Sequence, residues 1–198
     1  MAMRETANPS ADRFLAQLKP IEGELERYCR RLIWEPQEAP DALQSAVMRA
    51  FAAFDRYREN ASFRAWMFKI LTHEAFALNR KHARIARHEF QLEPDELAEL
   101  ALAGEPGPEQ REWQPLSPEA LDEAFEPALA AGLKTLTDTE RAVLLLRAIG
   151  ELRYREIGEA LGIPLGSVMG NLSRARQKMR AYLARSAQRA KLLKENEI

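Results

Sequence analysis

Apolar positions along this chain recur at three- and four-residue spacing, and no stretch alternates in the way a half-buried strand does. The pattern predicts a first helix from Phe14 to Trp34, with Leu18, Ile21, Leu25, Tyr28, Cys29 and Leu32 on one face. "EPQEAP" then breaks the chain with two prolines. Asp41 is placed to cap a second helix through Phe54, along which Leu43, Val47, Ala50, Phe51 and Phe54 recur. "DRYRENAS" reads as a connector. Ser62 can cap a third helix from Phe63 to Arg87, with Trp66, Ile70, Ala77 and Ile85 among its apolar positions.

The periodicity stops at Gln91. Four prolines, two glycines and an acidic excess between Gln91 and Leu116 mark a linker. Beyond it, Pro127 must kink or restart a helix. The last block is the best punctuated. "TDTE" (Thr137 to Glu140) forms a capping box before "RAVLLLRAIG", which Gly150 ends. "YREIGEALG" is a short helix closed by Gly162, "IPLG" is a turn, and a long helix follows from Ser167. The predicted fold is therefore all-α with two small helical domains: an N-terminal three- to four-helix bundle over residues 10–90 and a C-terminal helix-turn-helix over 126–190. An acidic, proline-containing linker over 91–125 joins them.

Charge supports this division. The net value of −1 conceals about +3 over residues 1–90, −10 over 91–126 and +6 over 127–198. Two basic blocks either side of an acidic connector suit two anion-binding modules. With 198 residues, 46% of them apolar, the chain is globular in composition. No apolar run approaches the roughly 20 residues that cross a bilayer, so no membrane insertion is expected. "MAMRETANPSADR" lacks the apolar stretch of a secretory signal, which makes the cytoplasm the expected compartment. The single cysteine, Cys29, cannot form an internal disulfide and reads as a buried thiol.

A short helix, a glycine turn and a longer helix make up the layout of a helix-turn-helix. Ile157 and Leu161 are expected inward, Gly158 permits close helix contact, and Val168 anchors the second helix. The stripe then continues through Leu172, Ala175, Met179 and Tyr182. Arg174, Arg176, Lys178 and Arg180 give that helix the cations that phosphate neutralisation requires. "LTDTERAVLLLRAIGELRYREIGEALGIPLGSVMGNLSRARQKMR" resembles the C-terminal promoter-binding domain of bacterial extracytoplasmic-function (ECF) sigma factors, through "YREIGEALGIP", "GSV" and "LSRAR". "PDALQSAVMRAFAAFDRYRENASFRAWMFKI" is similar to the N-terminal domain of the same group.

The resemblance implies roles for particular residues. Asp41, Gln44, Ser45 and Arg49 would face core RNA polymerase. Arg58, Phe63, Arg64, Trp66, Lys69, His73, Arg80 and Lys81 would meet the −10 promoter element, where exposed bases stack on rings and cations follow phosphates. Trp66 fits the core better than a stacking surface. Arg155, Ser167, Met169, Gly170, Ser173, Arg174, Arg176 and Gln177 would meet the −35 element. Helical projection aims Met169, Gly170, Ser173, Arg174 and Gln177 at the groove, with Asn171 to the side. Base discrimination would rest on Ser173, Arg174 and Gln177, while Arg176 would grip phosphate.

Three departures from the family pattern stand out. After "DALQ" the family usually places an acidic residue, and this chain has Ser45. Phosphorylation of Ser45 would restore about −1.5 to −2 of charge there, whereas nearby carboxylates offer a simpler compensation. The usual arginine–asparagine pair is replaced by Thr72 and His73, and a later aspartate by Ala77. At the tip of the last helix, Met169, Gly170 and Asn171 stand where the family usually has a basic residue, serine and arginine.

Catalytic readings find little support. His73 and Glu74 lack a second histidine four residues on, and His82 and His88 lack ligand partners at metal spacing. There is no phosphate-cradling glycine loop and no serine elbow, so neither enzyme activity nor a metal or other cofactor is expected. The expected partners are core RNA polymerase and promoter DNA, with an anti-sigma protein or a Ser/Thr kinase as regulator. A non-initiating sigma mimic and an ordinary helix-turn-helix activator are the alternatives.

Overall fold

The computed structural model describes residues 9–57, 62–90 and 126–195, and every regular element among them is helical. The N-terminal half comprises α1 (Pro9–Leu18), α2 (Glu22–Leu32), α3 (Ala39–Ala53) and α4 (Phe63–Phe90). The C-terminal half comprises α5 (Glu126–Lys134), α6 (Asp138–Ala148), α7 (Tyr154–Leu161) and α8 (Leu165–Glu195). The predicted linker over 91–125 and Arg58 lie outside the described residues.

The single helix expected from Phe14 to Trp34 is two. Pro20 has no N–H to give an uninterrupted helix, and the chain winds through a 3-10 turn at Lys19–Ile21. Ile21, at φ −113° and ψ 0°, then leads into α2. α3 also begins earlier than expected, at Ala39, with Pro40 in its first turn and no side-chain cap. Asp41 is therefore not the cap, although its charge still lies in the first turn, where the helix dipole favours it.

The inward face of α3 is made by Ala39, Ala42, Ala46 and Ala50 rather than by its larger apolar residues. Leu43 and Val47 only flank the core, and Phe51 is 41% exposed. The small side chains let α3 lie closely along α4, whose buried stripe is Phe63, Met67, Phe68, Leu71, Thr72, Ala75 and Asn79. That stripe lies one position round from the expected one, so Trp66 and Ile70 are part-buried and Ala77 and Ile85 are exposed. Ser62 does cap α4, its hydroxyl accepting from the Ala65 N–H at 3.2 Å. Phe14 meets Phe51, Phe54 and Phe63 edge-on at 5.2–5.8 Å, a geometry worth roughly 0.5–1.5 kcal/mol per pair beyond burial.

In the C-terminal half the capping box is present. Glu140 N–H donates to Thr137 Oγ1 at 3.2 Å, and Thr137 N–H donates to Glu140 Oε2 at 3.1 Å. Gly150 follows α6 where a Cβ would stand 2.8 Å from the Leu146 carbonyl oxygen. Gly162 ends α7 in the left-handed region at φ 67°. At Gly158 a Cβ would come within 2.9 Å of the Ile163 carbonyl oxygen, so glycine is what lets the turn fold back. α8 starts at Leu165, two residues before the expected Ser167, and buries Val168, Leu172, Ala175 and Met179. Leu161 and Tyr182 are only part-buried.

The two halves dock, α2 against α6 and α4 against α7. Arg141, 5% exposed, donates through Nε to the Leu133 carbonyl at 2.9 Å and through Nη1 to the Leu32 carbonyl at 3.4 Å. Trp34 Nε1 donates to Asp138 Oδ1 at 3.1 Å. Burial pulls the Arg141 guanidinium below its ordinary value, and the nearby Asp138 charge opposes that shift.

Candidate nucleic-acid interface

α3 arranges the first group of candidates. Asp41, Ser45 and Arg49 follow one another at four-residue spacing, which places them on one ridge of the helix, and Gln44 lies beside it. All four are exposed. Arg49 pairs with Glu74 Oε1 at 3.0 Å. Asp41 and Ser45 also line a groove of about 350 Å³ between α3 and α4, with Glu38, Glu74 and Lys81. α3 also exposes Met48 (66%), which the sequence reading did not name, and Phe51 (41%), which it placed on the apolar face; on α1, Leu15 is 56% exposed. The amphipathic pattern gave no hint that Phe51 would be exposed, because a phenylalanine at helical spacing reads as core.

The candidates on α4 are dispersed. Phe63 is 9% exposed and belongs to the aromatic cluster with Phe14, Phe54, Tyr57 and Trp66, so its ring is occupied by the core. Trp66 is part-buried, its ring 5.0 Å from that of Tyr57. Arg64 is ion-paired to Glu24 at 2.7 Å and reaches the Gly150 carbonyl of the C-terminal half at 3.5 Å. His73 Nε2 lies 3.3 Å from the Ala160 carbonyl oxygen, again across the junction between the halves. Lys69, Arg80 and Lys81 are exposed on α4. Cations and rings are thus both present, but the rings belong mainly to the interior.

The helix-turn-helix groups its candidates better. Arg155, Ser167, Met169, Ser173, Arg174 and Gln177 are all exposed, and Gly170 is part-buried. Arg176 is only part-exposed, which limits how far it can reach toward a backbone phosphate. Leu165 (50%) and Met169 (49%) present an exposed apolar pair one turn apart. Arg147, beneath the turn, lies 5.7 Å from the Tyr154 ring centroid.

Two residues that the sequence reading did not count among the −35 contacts touch Arg174. Glu140, the capping-box carboxylate, is 3% exposed and takes Lys178 Nζ at 2.9 Å and Arg174 Nε at 3.5 Å. Its own burial would raise the carboxyl. The Lys178 hydrogen bond, the Thr137 N–H and the Lys178 and Arg174 charges outweigh that and hold it below its ordinary value. Asn171, projected to the side of the groove, donates through Nδ2 to the Ser167 carbonyl at 2.7 Å and accepts at Oδ1 from Arg174 Nη2 at 2.9 Å. The capping box did mark Glu140, but only as a local cap. Its reach to α8 depends on how α6 and α8 cross.

Among the described residues no cluster of histidine, cysteine and carboxylate side chains could hold a metal, and no helix is long and apolar enough to cross a membrane. The Cys29 thiol is fully buried, and burial pushes it up to about 12.

Residues 21–85 match the family described as Sigma-70 region 2, and residues 128–179 match Sigma-70, region 4. The ECF RNA polymerase sigma factor SigG of Mycobacterium tuberculosis is 26% identical over 94% of this chain and 53% of its own length. The chain therefore spans about half the length of that relative. RNA polymerase sigma factor CnrH of Cupriavidus metallidurans is 31% identical over 74% of this chain and 73% of its own. In fold, the chain is similar to the sigma factor RpoE of Bartonella quintana, solved in complex with the anti-sigma factor NepR. The TM-score is 0.65 at 21% identity, covering 87% of this chain and 98% of that one.

Proposed function

This chain belongs to the ECF RNA polymerase sigma factors, and from that premise we propose that it binds core RNA polymerase and directs transcription initiation at a specific set of promoters. The observation that carries the proposal is the pairing of two modules in order. A region 2 bundle exposes the α3 ridge, and a region 4 helix-turn-helix exposes the outer face of α8.

In this reading Asp41, Gln44, Ser45 and Arg49 dock on the polymerase, with Met48 and Phe51 adding apolar area. Lys69, Arg80 and Lys81 follow phosphates near the −10 element. Arg64 and His73 act there only once the C-terminal half moves off α4, while Trp66, packed on Tyr57, and Phe63 support that face from within the aromatic cluster. The −35 element is read by the exposed edge of α8, assisted by Arg155 at α7. Polymerisation chemistry stays with the core enzyme, so the chain itself is no catalyst, and its place of action is the cytoplasm.

Regulation by an anti-sigma protein suits the reading, since the RpoE relative is held by one. Phosphorylation at Ser45 is the second regulatory reading. The hydroxyl is exposed, but Glu38, Asp41 and Glu74 line the same groove and would repel a phosphate, leaving Lys81 and Arg49 to attract it. Ser45→Glu outperforming Ser45→Ala in transcription would support that control, and equal performance would remove it.

Purified core polymerase tests the main reading. Addition of the chain should produce initiation from specific promoters. Binding to core without initiation would indicate a non-initiating sigma mimic, and DNA-dependent activation requiring another sigma factor would indicate an ordinary activator.

A further inference from the structure

The tip of α8 is neutral in sequence, with Met169, Gly170 and Asn171 in its first turns, yet its surroundings are not neutral. The Arg174 side chain folds back along the helix toward that tip. Its Nη1 lies where a Cβ on Gly170 would be 3.5 Å away, and its Nη2 donates to Asn171 Oδ1 at 2.9 Å. Asn171 is itself tied down by the hydrogen bond that its Nδ2 donates to the Ser167 carbonyl at 2.7 Å. From the other side, Glu140 Oε1 holds Arg174 Nε at 3.5 Å, while Thr137 N–H and Lys178 Nζ fix the same carboxylate. Glu140 is 4% exposed at its side chain and Arg174 49%, so a buried anchor holds a half-exposed cation.

We infer that Glu140, Gly170 and Asn171 form a cradle that positions the Arg174 guanidinium at the tip of α8 as its principal base reader. The inference rests on the proposal that α8 reads the −35 element. Each cradle residue has a distinct job. At Gly170 the guanidinium lies along bare backbone, where a Cβ would touch Nη1 at van der Waals distance and only a longer side chain would compete with it. Asn171 Oδ1 accepts one N–H of Nη2, and the Glu140 carboxylate is ion-paired with Nε at 3.5 Å. Of the five guanidinium N–H groups, one donates to Asn171 and one faces Glu140, so three remain without a protein acceptor among the described residues. Donors on both terminal nitrogens remain, which is the pair that guanine O6 and N7 accept in the major groove. Holding the side chain before DNA arrives removes part of the rotamer entropy that a free arginine loses on binding. Cradled in this way, Arg174 supplies at the tip the cation that residues 169–171 lack, and guanine is the base it selects.

The test is initiation by holoenzyme, reconstituted from the full chain and core polymerase, on a promoter library randomised across the −35 element. Wild type should prefer guanine at one position by on the order of tenfold, and Arg174→Ala should erase that preference. Asn171→Ala and Glu140→Gln should flatten the same position by several-fold and leave the other positions unchanged. Glu140→Gln keeps an oxygen for the Thr137 N–H, and Asn171→Ala alters only an outer helix position. Thermal melts of both variants establish that each is folded. If both folded variants retain the full preference that Arg174→Ala removes, or lose initiation evenly across all sequences, the positioning role is overturned while −35 reading by α8 stands. A wild-type holoenzyme indifferent to every −35 position would overturn that reading, and the cradle with it.

Discussion

The Arg141 guanidinium donates to the Leu32 carbonyl oxygen at 3.4 Å, so a buried cation of the C-terminal half meets the last turn of a helix in the N-terminal half. The carbonyls at a helix C-terminus lack intrahelical partners and carry the negative end of the dipole, which suits a cation. Asn79 completes the junction. Its Nδ2 donates to the same Leu32 carbonyl at 3.3 Å, and its Oδ1 accepts from the Trp34 N–H at 3.0 Å.

Substitution of Arg141 should therefore weaken both its own domain and the docking between halves. Arg141→Met removes two charge-assisted bonds but leaves Leu32 its Asn79 partner, for an expected loss of about 1–3 kcal/mol. Arg141→Lys should recover little, because one ammonium cannot reproduce the fork that reaches Leu133 and Leu32 together. Urea denaturation of the three proteins measures the difference, and an unchanged midpoint for Arg141→Met would refute the bridging role.

Acid should act on Glu140 in a stated direction. Its carboxyl is held below the ordinary 4.5, so the folded state binds its proton less readily than the unfolded chain. The stability it contributes is present in full above the unfolded value and is lost as pH falls through the folded one. Melting temperatures of wild type and Glu140→Gln should differ near neutrality and converge on acidification below about 4.5. A gap that persists in acid would mean the carboxylate charge contributes nothing.

The Cys29 thiol should be inert in the native state. It is fully buried, its proton is aimed at the Ala39 carbonyl oxygen 3.6 Å away, and burial pushes its pKa up to about 12. Thiolate is the reactive form, so modification at mild alkaline pH should wait for unfolding. Labelling by a thiol reagent should track the fraction unfolded across a denaturant series. Rapid labelling of folded protein would contradict the burial.

For the exposed cations of α4, the expected signature is electrostatic. Lys69→Gln and Arg80→Gln should each weaken binding of holoenzyme to promoter DNA evenly across sequences and reduce the salt slope by roughly one. Binding isotherms over a salt series read both effects. A change in base preference without a change in slope would assign these side chains to base reading instead.

Much of this protein is determined locally and was legible in its residues. Helical periodicity, the Thr137–Glu140 box, the stop at Gly150 and the left-handed Gly162 depend on neighbours a few positions away, so they specify the helices and the helix-turn-helix without reference to the rest of the chain. Pro20 was equally local, but the apolar stripe running through it masked the break. What only tertiary structure decided is which side of each helix faces another. The close approach of α3 and α4 selected alanines over Phe51 for the interior and moved the α4 stripe to Met67 and Leu71. The crossing of α6 over α8 turned a capping glutamate into the anchor of Arg174, and the docking of the halves placed Arg141 on Leu32, a partner 109 residues away. Spacing along a helix limits which residues can share a face, but packing against other helices decides whether that face meets core, partner or solvent.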